Sequence, residues 1–196
     1  MTVTDSLIKI ADWLNNRVCQ KFAFKVPPKE GMPIDDRYEY KEAHPQAFPV
    51  FIPAKDKLPP DIEINMPAVA VQVVSGEDDT IASHRDLTFN LALACWNPGR
   101  HSKDVYYPSG KRPEIPEKYK STYSGWMDVW NFTDMILREL ESVANISGMR
   151  IQGNITFGAY KEQESITDYY PLWFTWIQFT VQGNFLRNGE AYNDFL

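Results

Sequence analysis

Apolar residues recur at steps of three and four in two stretches of the chain and at steps of two in two others. Near the N-terminus Leu7, Ala11, Leu14 and Val18 form one helical stripe. Thr4 or Asp5 can cap that helix, which is expected to run to about residue 21. A second stripe comprises Trp126, Val129, Thr133, Ile136, Leu140 and Val143, with Ser124 as the cap and a stop at 145–148. Strict alternation marks two strands: Leu87, Phe89, Leu91, Leu93 and Cys95 on one inner face, and Trp173, Thr175, Ile177, Phe179 and Val181 on the other. Residues 68–74 are rich in valine and read as a buried strand. Residues 22–26 read as a short strand, and 149–160 as a strand weakened by Gly153 and Gly158. The expected fold is α+β. One mostly antiparallel sheet of about four to five strands carries two amphipathic helices on one face.

The 14 prolines divide the chain. They cluster in 27–67 and in 98–116, where they remove backbone donors and disfavour helix. These segments read as two long excursions from a single domain, 1–196, whose core covers about 1–26, 68–97 and 117–185, with a loose tail at 186–196. The first excursion is rich in apolar residues, among them Tyr38, Tyr40, Phe48 and Phe51, and Ile62, Ile64 and Met66 alternate like a strand. So much apolar surface in a loop needs a core or a neighbouring subunit to cover it.

Composition narrows the function classes. Hydrophobic residues make up 43% of the 196, so a disordered chain is excluded. The net charge of −6 argues against a sequence-reading nucleic-acid domain, which needs a basic face. The run at 172–181 is too short and too polar to span a bilayer. Two cysteines make no disulfide scaffold, no export signal opens the chain, and a reducing cytosol is expected. The Asn-x-Ser/Thr triplets at Asn131, Asn145 and Asn154 are then chance matches.

Candidate chemistry is sparse. Ser109-Gly110-Lys111 lacks the upstream glycine and following hydroxyl of a phosphate loop. Cys95, His101, His84 and His44 offer no second tight pair for zinc. Cys95 lies on an apolar strand face and reads as a small hydrophobe. There is no nucleophile elbow, although a spatial triad leaves no local trace. The acidic groups Asp35-Asp36, Glu77-Asp78-Asp79 and Glu162/Glu164/Asp168 read as solvated turns. No catalytic, cofactor or metal residues are assigned, and no enzymatic activity is expected. Trp126 and Trp173 fall on inner stripes, whereas Trp130 and Trp176 fall off them. Off-stripe aromatics fit subunit contact; no cation accompanies 172–183, so single-strand stacking is disfavoured.

The motifs Gly125-Trp126-Met127-Asp128-Val129-Trp130-Asn131 and Tyr169-Tyr170-Pro171-Leu172-Trp173, with the strand Pro67-Ala68-Val69-Ala70-Val71, carry a family likeness. Over about 1–26 and 68–185 the chain resembles the tail-terminator (tail-completion) proteins of long-tailed phages and prophages. Gly125, Trp126, Asp128, Tyr170, Pro171 and Trp173 are the motif positions. The resemblance implies a structural virion protein forming a ring, usually hexameric. Such a ring caps the tail tube, stops its polymerisation and joins the head connector. The implied partners are further copies of the chain, the tail tube protein and the connector protein. DNA would pass without specific binding, and no membrane is involved. The implied location is the host cytoplasm during assembly, then the tail or neck of the virion. Glu77, Asp78 and Asp79 are expected to face the bore, where carboxylates do not hold phosphates. Trp130, Trp176, Phe48, Phe51, Tyr38 and Tyr40 are the expected oligomer or partner contacts. A head-closure adaptor or other minor tail protein is one alternative. A small enzyme or ligand-binding domain with 27–67 as a lid is another.

Overall fold

The computed structural model describes residues 1–27, 41–58, 65–99, 124–162, 165–166 and 169–184. Tyr38, Tyr40, Ile62, Ile64, Asp35-Asp36, Ser109-Gly110-Lys111, His101, Glu164, Asp168 and the tail lie outside these residues.

Helix α1 spans Val3–Trp13. Its cap is Thr2, whose Oγ1 accepts from the Asp5 amide at 3.1 Å. Thr4 and Asp5 therefore sit inside the first turn, where the Asp5 carboxylate faces the positive end of the helix dipole. The chain continues as a π-turn over Leu14–Val18 and a 3-10 turn over Cys19–Lys21. A π-turn holds one more residue than an α-turn. The inward stripe consequently broadens to Ile10, Ala11, Leu14, Val18 and Cys19, all buried.

The strands are β1 (Phe24–Lys25), β2 (Glu42–Ala43), β3 (Gln46–Pro49), β4 (Ala68–Asp79), β5 (His84–Trp96), β6 (Asn145–Ile146), β7 (Met149–Ala159), β8 (Lys161–Glu162), β9 (Ser165–Ile166) and β10 (Leu172–Asn184). Helix α2 spans Trp126–Ser142. Six strands form one sheet in the order β3-β4-β5-β10-β7-β6, while β1-β2 and β8-β9 are separate pairs. The sheet exceeds the four to five strands expected because β3 from the proline-rich excursion and β6 after α2 both join it, whereas the strand expected at 22–26 pairs with β2 outside it. Strand β3 runs parallel to β4, with Gln46 opposite Ala68 and Pro49 opposite Val71. Proline is tolerated there because β3 is an edge. Its outward backbone groups are covered by a side chain: Asn15 Nδ2 donates to the Ala47 carbonyl at 3.0 Å, and the Ala47 amide donates to Asn15 Oδ1 at 2.7 Å.

Both helices pack on one face of the sheet. The core there joins Val69 and Val71 of β4, the five alternating residues 87 to 95 of β5, and Ile177, Phe179 and Val181 of β10. Phe89 lies directly opposite Phe179, their rings stacked at 6.0 Å. One polar pair sits within this core. Thr133 Oγ1 donates to the Val129 carbonyl at 2.8 Å and lies 2.8 Å from Thr175 Oγ1. Its single proton being committed, Thr133 is the acceptor and Thr175 the donor. Gly153, at φ +68, lies where the pairing of β7 with β10 shifts register, as a bulge requires.

Candidate functional site

The motif positions converge on one residue that the sequence did not single out. Asn97 directly follows β5, and the residue is buried. Its amide donates to the Pro171 carbonyl at 3.0 Å. Its own carbonyl accepts from Trp173 Nε1 at 2.7 Å. Its side-chain Nδ2 donates to Asp128 Oδ2 at 2.7 Å, and its Oδ1 accepts from Lys25 Nζ at 3.1 Å and from the Gly99 amide at 2.8 Å. Tyr170 Oη donates to the adjacent Pro98 carbonyl at 3.0 Å. Gly125 is required by contact: a Cβ there would lie 2.0 Å from the Asn97 oxygen. Five of the six motif positions thus tie the start of α2, the end of β5 and the start of β10 together. Burial raises the Asp128 carboxyl above the ordinary carboxylate range; the Asn97 hydrogen bond and Lys25 oppose this, and Glu42 adds to it. The knot is a joint between α2, β5 and β10, and the buried Cys95 thiol lies close enough to feel the Asp128 charge.

Trp126 is the sixth motif position and stands apart. It is the first residue of α2 and is 48% exposed rather than packed on the inner stripe. The stripe is carried instead by Val129, Phe132, Thr133, Ile136, Leu137 and Leu140. Trp130 packs against the core from its margin. It is not among the buried stripe residues of α2.

The second face of the sheet has no helix layer among the described residues. It holds an apolar hollow of about 860 Å³. The floor is small: Ala70, Ala92, Ala94 and Gly158. The Trp176 ring lies 3.1 Å from where a Gly158 Cβ would stand, and its Nε1 donates to the Ala159 carbonyl. Around the floor stand Phe51, Phe157, Tyr160, Tyr169 and Phe174. Tyr169 and Phe174 meet edge to face at 5.6 Å. Phe51 is 63% exposed and Phe157 51%. Two amides line one side: Asn90 Nδ2 donates to Gln72 Oε1 at 3.1 Å, and Gln72 Nε2 to the Val50 carbonyl at 3.2 Å. Lys161 stands at the lining.

Of the residues expected to make contacts, Phe51 and Trp176 meet at this hollow. Phe48 is buried by the chain itself, at 5% exposure, and Trp130 lies across the sheet with the helices. Phe157, Tyr160, Tyr169 and Phe174 were not anticipated. The available signal was in β10, where Phe174 and Trp176 occupy the phase that should be polar. A strand apolar on both phases is covered on both faces.

The acidic turn is more committed than its charge implies. Arg85 forks Asp78, with Nε at 2.6 Å from Oδ1 and Nη2 at 2.7 Å from Oδ2. That hydrogen bond holds the Asp78 carboxyl below its ordinary range. Asp79 Oδ1 accepts from the Ile81 and Ala82 amides, both at 2.8 Å, and the amides of Ala82 and Ile81 lower it likewise. Glu77 is exposed. Burial pushes the Cys19 thiol up to about 12 and the Cys95 thiol well above its ordinary value. His44 Nδ1 contacts the Phe22 carbonyl at 2.8 Å. Among the described residues no group of three or more His, Cys, Asp or Glu is placed to hold a metal, and no helix is long and apolar enough to cross a membrane. A scan against protein-family models and a search of curated proteins each find no match to the chain.

Proposed function

We propose that this chain is a structural virion protein, a tail terminator whose copies form a ring on the end of a phage tail tube and meet the head connector on the other side. The observation that carries the reading is the division of the sheet. One face is closed by two helices around a complete core, and the other presents an aromatic hollow with exposed Phe51 and Phe157. Exposed apolar patches of this kind mark interaction surfaces. The motif positions hold a joint that fixes α2 against the sheet, in keeping with a part that assembles rather than turns over substrate. In this reading Glu77, Asp78 and Asp79 face a bore through which DNA passes without binding, and Glu77 is the carboxylate with no partner among the described residues.

Electron microscopy of tails assembled without this protein tests the reading. Tubes of uncontrolled length, restored to uniform length by adding the purified protein, are expected. Tails of normal length lacking heads would instead assign it to head closure or another neck role. The size of the hollow favours one rival, a ligand-binding domain, since 860 Å³ lies within the range of small-molecule sites. Normal tails and heads in the absence of the protein would leave that rival standing.

A further inference from the structure

The turn between β4 and β5, residues 80–83, carries Ile81, which at 93% is the most exposed large apolar residue among those described. An isoleucine held in water at the tip of a hairpin has a cost. The turn is also stiff: Asp79 holds the Ile81 and Ala82 amides, and the Arg85–Asp78 fork clamps the strands just behind. A rigid apolar tip is therefore presented outward.

The hollow lies at the far end of the same strands. β4 runs from Ala70 at the hollow to Asp79 at the turn, β5 returns from His84 to Ala94, and β10 runs from Trp176 at the hollow to Asn184 beside His84. Asp79 lies nine residue steps along the strand from Ala70, which places tip and hollow about 30 Å apart. The tip therefore does not reach its own hollow. The charges also match between the two ends. The hairpin carries Glu77, Asp78, Asp79 and Asp86 against the single Arg85, and the hollow carries Lys161.

We propose that Ile81 of one copy seats in the aromatic hollow of the next, so that copies join tip to hollow. Two different surfaces of the chain meet in such a contact, and repetition closes a ring where the rotation permits. The contact deepens the terminator reading, on which it rests for the association of copies. The contact also narrows the terminator reading: Asp78 and Asp79, at the turn, lie in the joint, and of the three carboxylates only Glu77, set back from the turn, is left to face the bore.

Complementation between two defective variants tests it. Ile81→Asp spoils the tip and leaves the hollow intact, while Phe157→Glu spoils the hollow and leaves the tip intact. Both positions are exposed, and unchanged melting temperatures check the fold; Phe51→Glu serves as a second hollow variant. Light scattering is expected to show wild-type oligomer, each variant alone as a 22.6 kDa monomer, and an equimolar mixture as a dimer of twice that mass and no larger. Only a tip-to-hollow contact gives one sound interface per mixed pair. Variants that keep the wild-type mass would overturn the contact and leave the ring standing. A mixture that stays monomeric while wild type is oligomeric would overturn it and leave the hollow to a different occupant. Wild type that is monomeric at every concentration would overturn the contact as a means of self-assembly, while the tail-length experiment would still decide the terminator reading.

Discussion

Trp173 Nε1 donates to the backbone carbonyl of Asn97 at 2.7 Å, and the same carbonyl stands where a Cβ on residue 125 would have to go. The indole and the glycine therefore depend on each other through one oxygen. Gly125→Ala would drive a methyl group to 2.0 Å from that atom. Relief requires α2 to shift and the indole to lose its acceptor. A destabilisation of about 2–4 kcal/mol is expected, as for other overpacked sites with a broken buried hydrogen bond. Urea denaturation would measure it.

The Thr133–Thr175 pair predicts an asymmetry. In Thr133→Val the Thr175 hydroxyl loses its acceptor inside the core, which costs about 1–3 kcal/mol. In Thr175→Val the Thr133 hydroxyl keeps the Val129 carbonyl, and an apolar group of the same shape joins a strand that favours it. That change should cost clearly less, and the double variant should recover part of the Thr133→Val loss. A double-mutant cycle of unfolding free energies reads the difference.

Asp128 predicts a pH dependence. Burial disfavours its charged form in the folded state, so its folded pKa lies above the unfolded one. The folded state then binds more protons, and this group's contribution to stability falls as pH rises through the window just above the ordinary aspartate value. Asp128→Asn keeps an oxygen for Asn97 Nδ2 and removes the charge. It should be at least as stable as wild type at pH 7, with the difference shrinking as pH falls toward 4. The opposite trend is expected from Glu139, held below its ordinary range by Lys21 and then Arg17; its contribution is lost as pH falls. Thermal melts of Asp128→Asn and wild type across this range separate the two.

The thiols predict silence. Cys19 and Cys95 are both fully buried, and burial holds both protonated at neutral pH. A thiol reagent at pH 8 should label neither in the folded protein and both in urea. Labelling of the folded protein at a rate close to that of the unfolded chain would contradict the core described here.

The periodic elements were legible because their patterns are local. Leu87, Phe89, Leu91, Leu93 and Cys95 name a strand by themselves, and β10 does the same. The joint at Asn97 was not legible, since its bonds run to backbone atoms of Pro171 and Pro98 and to an indole 76 positions away. The two motifs it unites were visible only as separate signatures. The strand β3 was masked by its prolines, and the π-turn that buries Cys19 leaves no periodic trace. The helix stripe placed Trp126 inward because spacing ignores where a helix begins. The hollow needed the same face of four strands to be brought side by side, although Phe174 and Trp176 already marked its lining.

Asn15 does for Ala47 what one more strand would do: it offers an acceptor to the amide and a donor to the carbonyl. The next outward position, Pro49, has no amide to give. The sheet consequently has a sealed border along β3, and a second sheet arriving there finds nothing to bond. Lengthening a sheet from molecule to molecule needs two open borders on every copy. Among the described residues the six-stranded sheet has at most one, at β6, so that sheet cannot be lengthened from copy to copy at both borders.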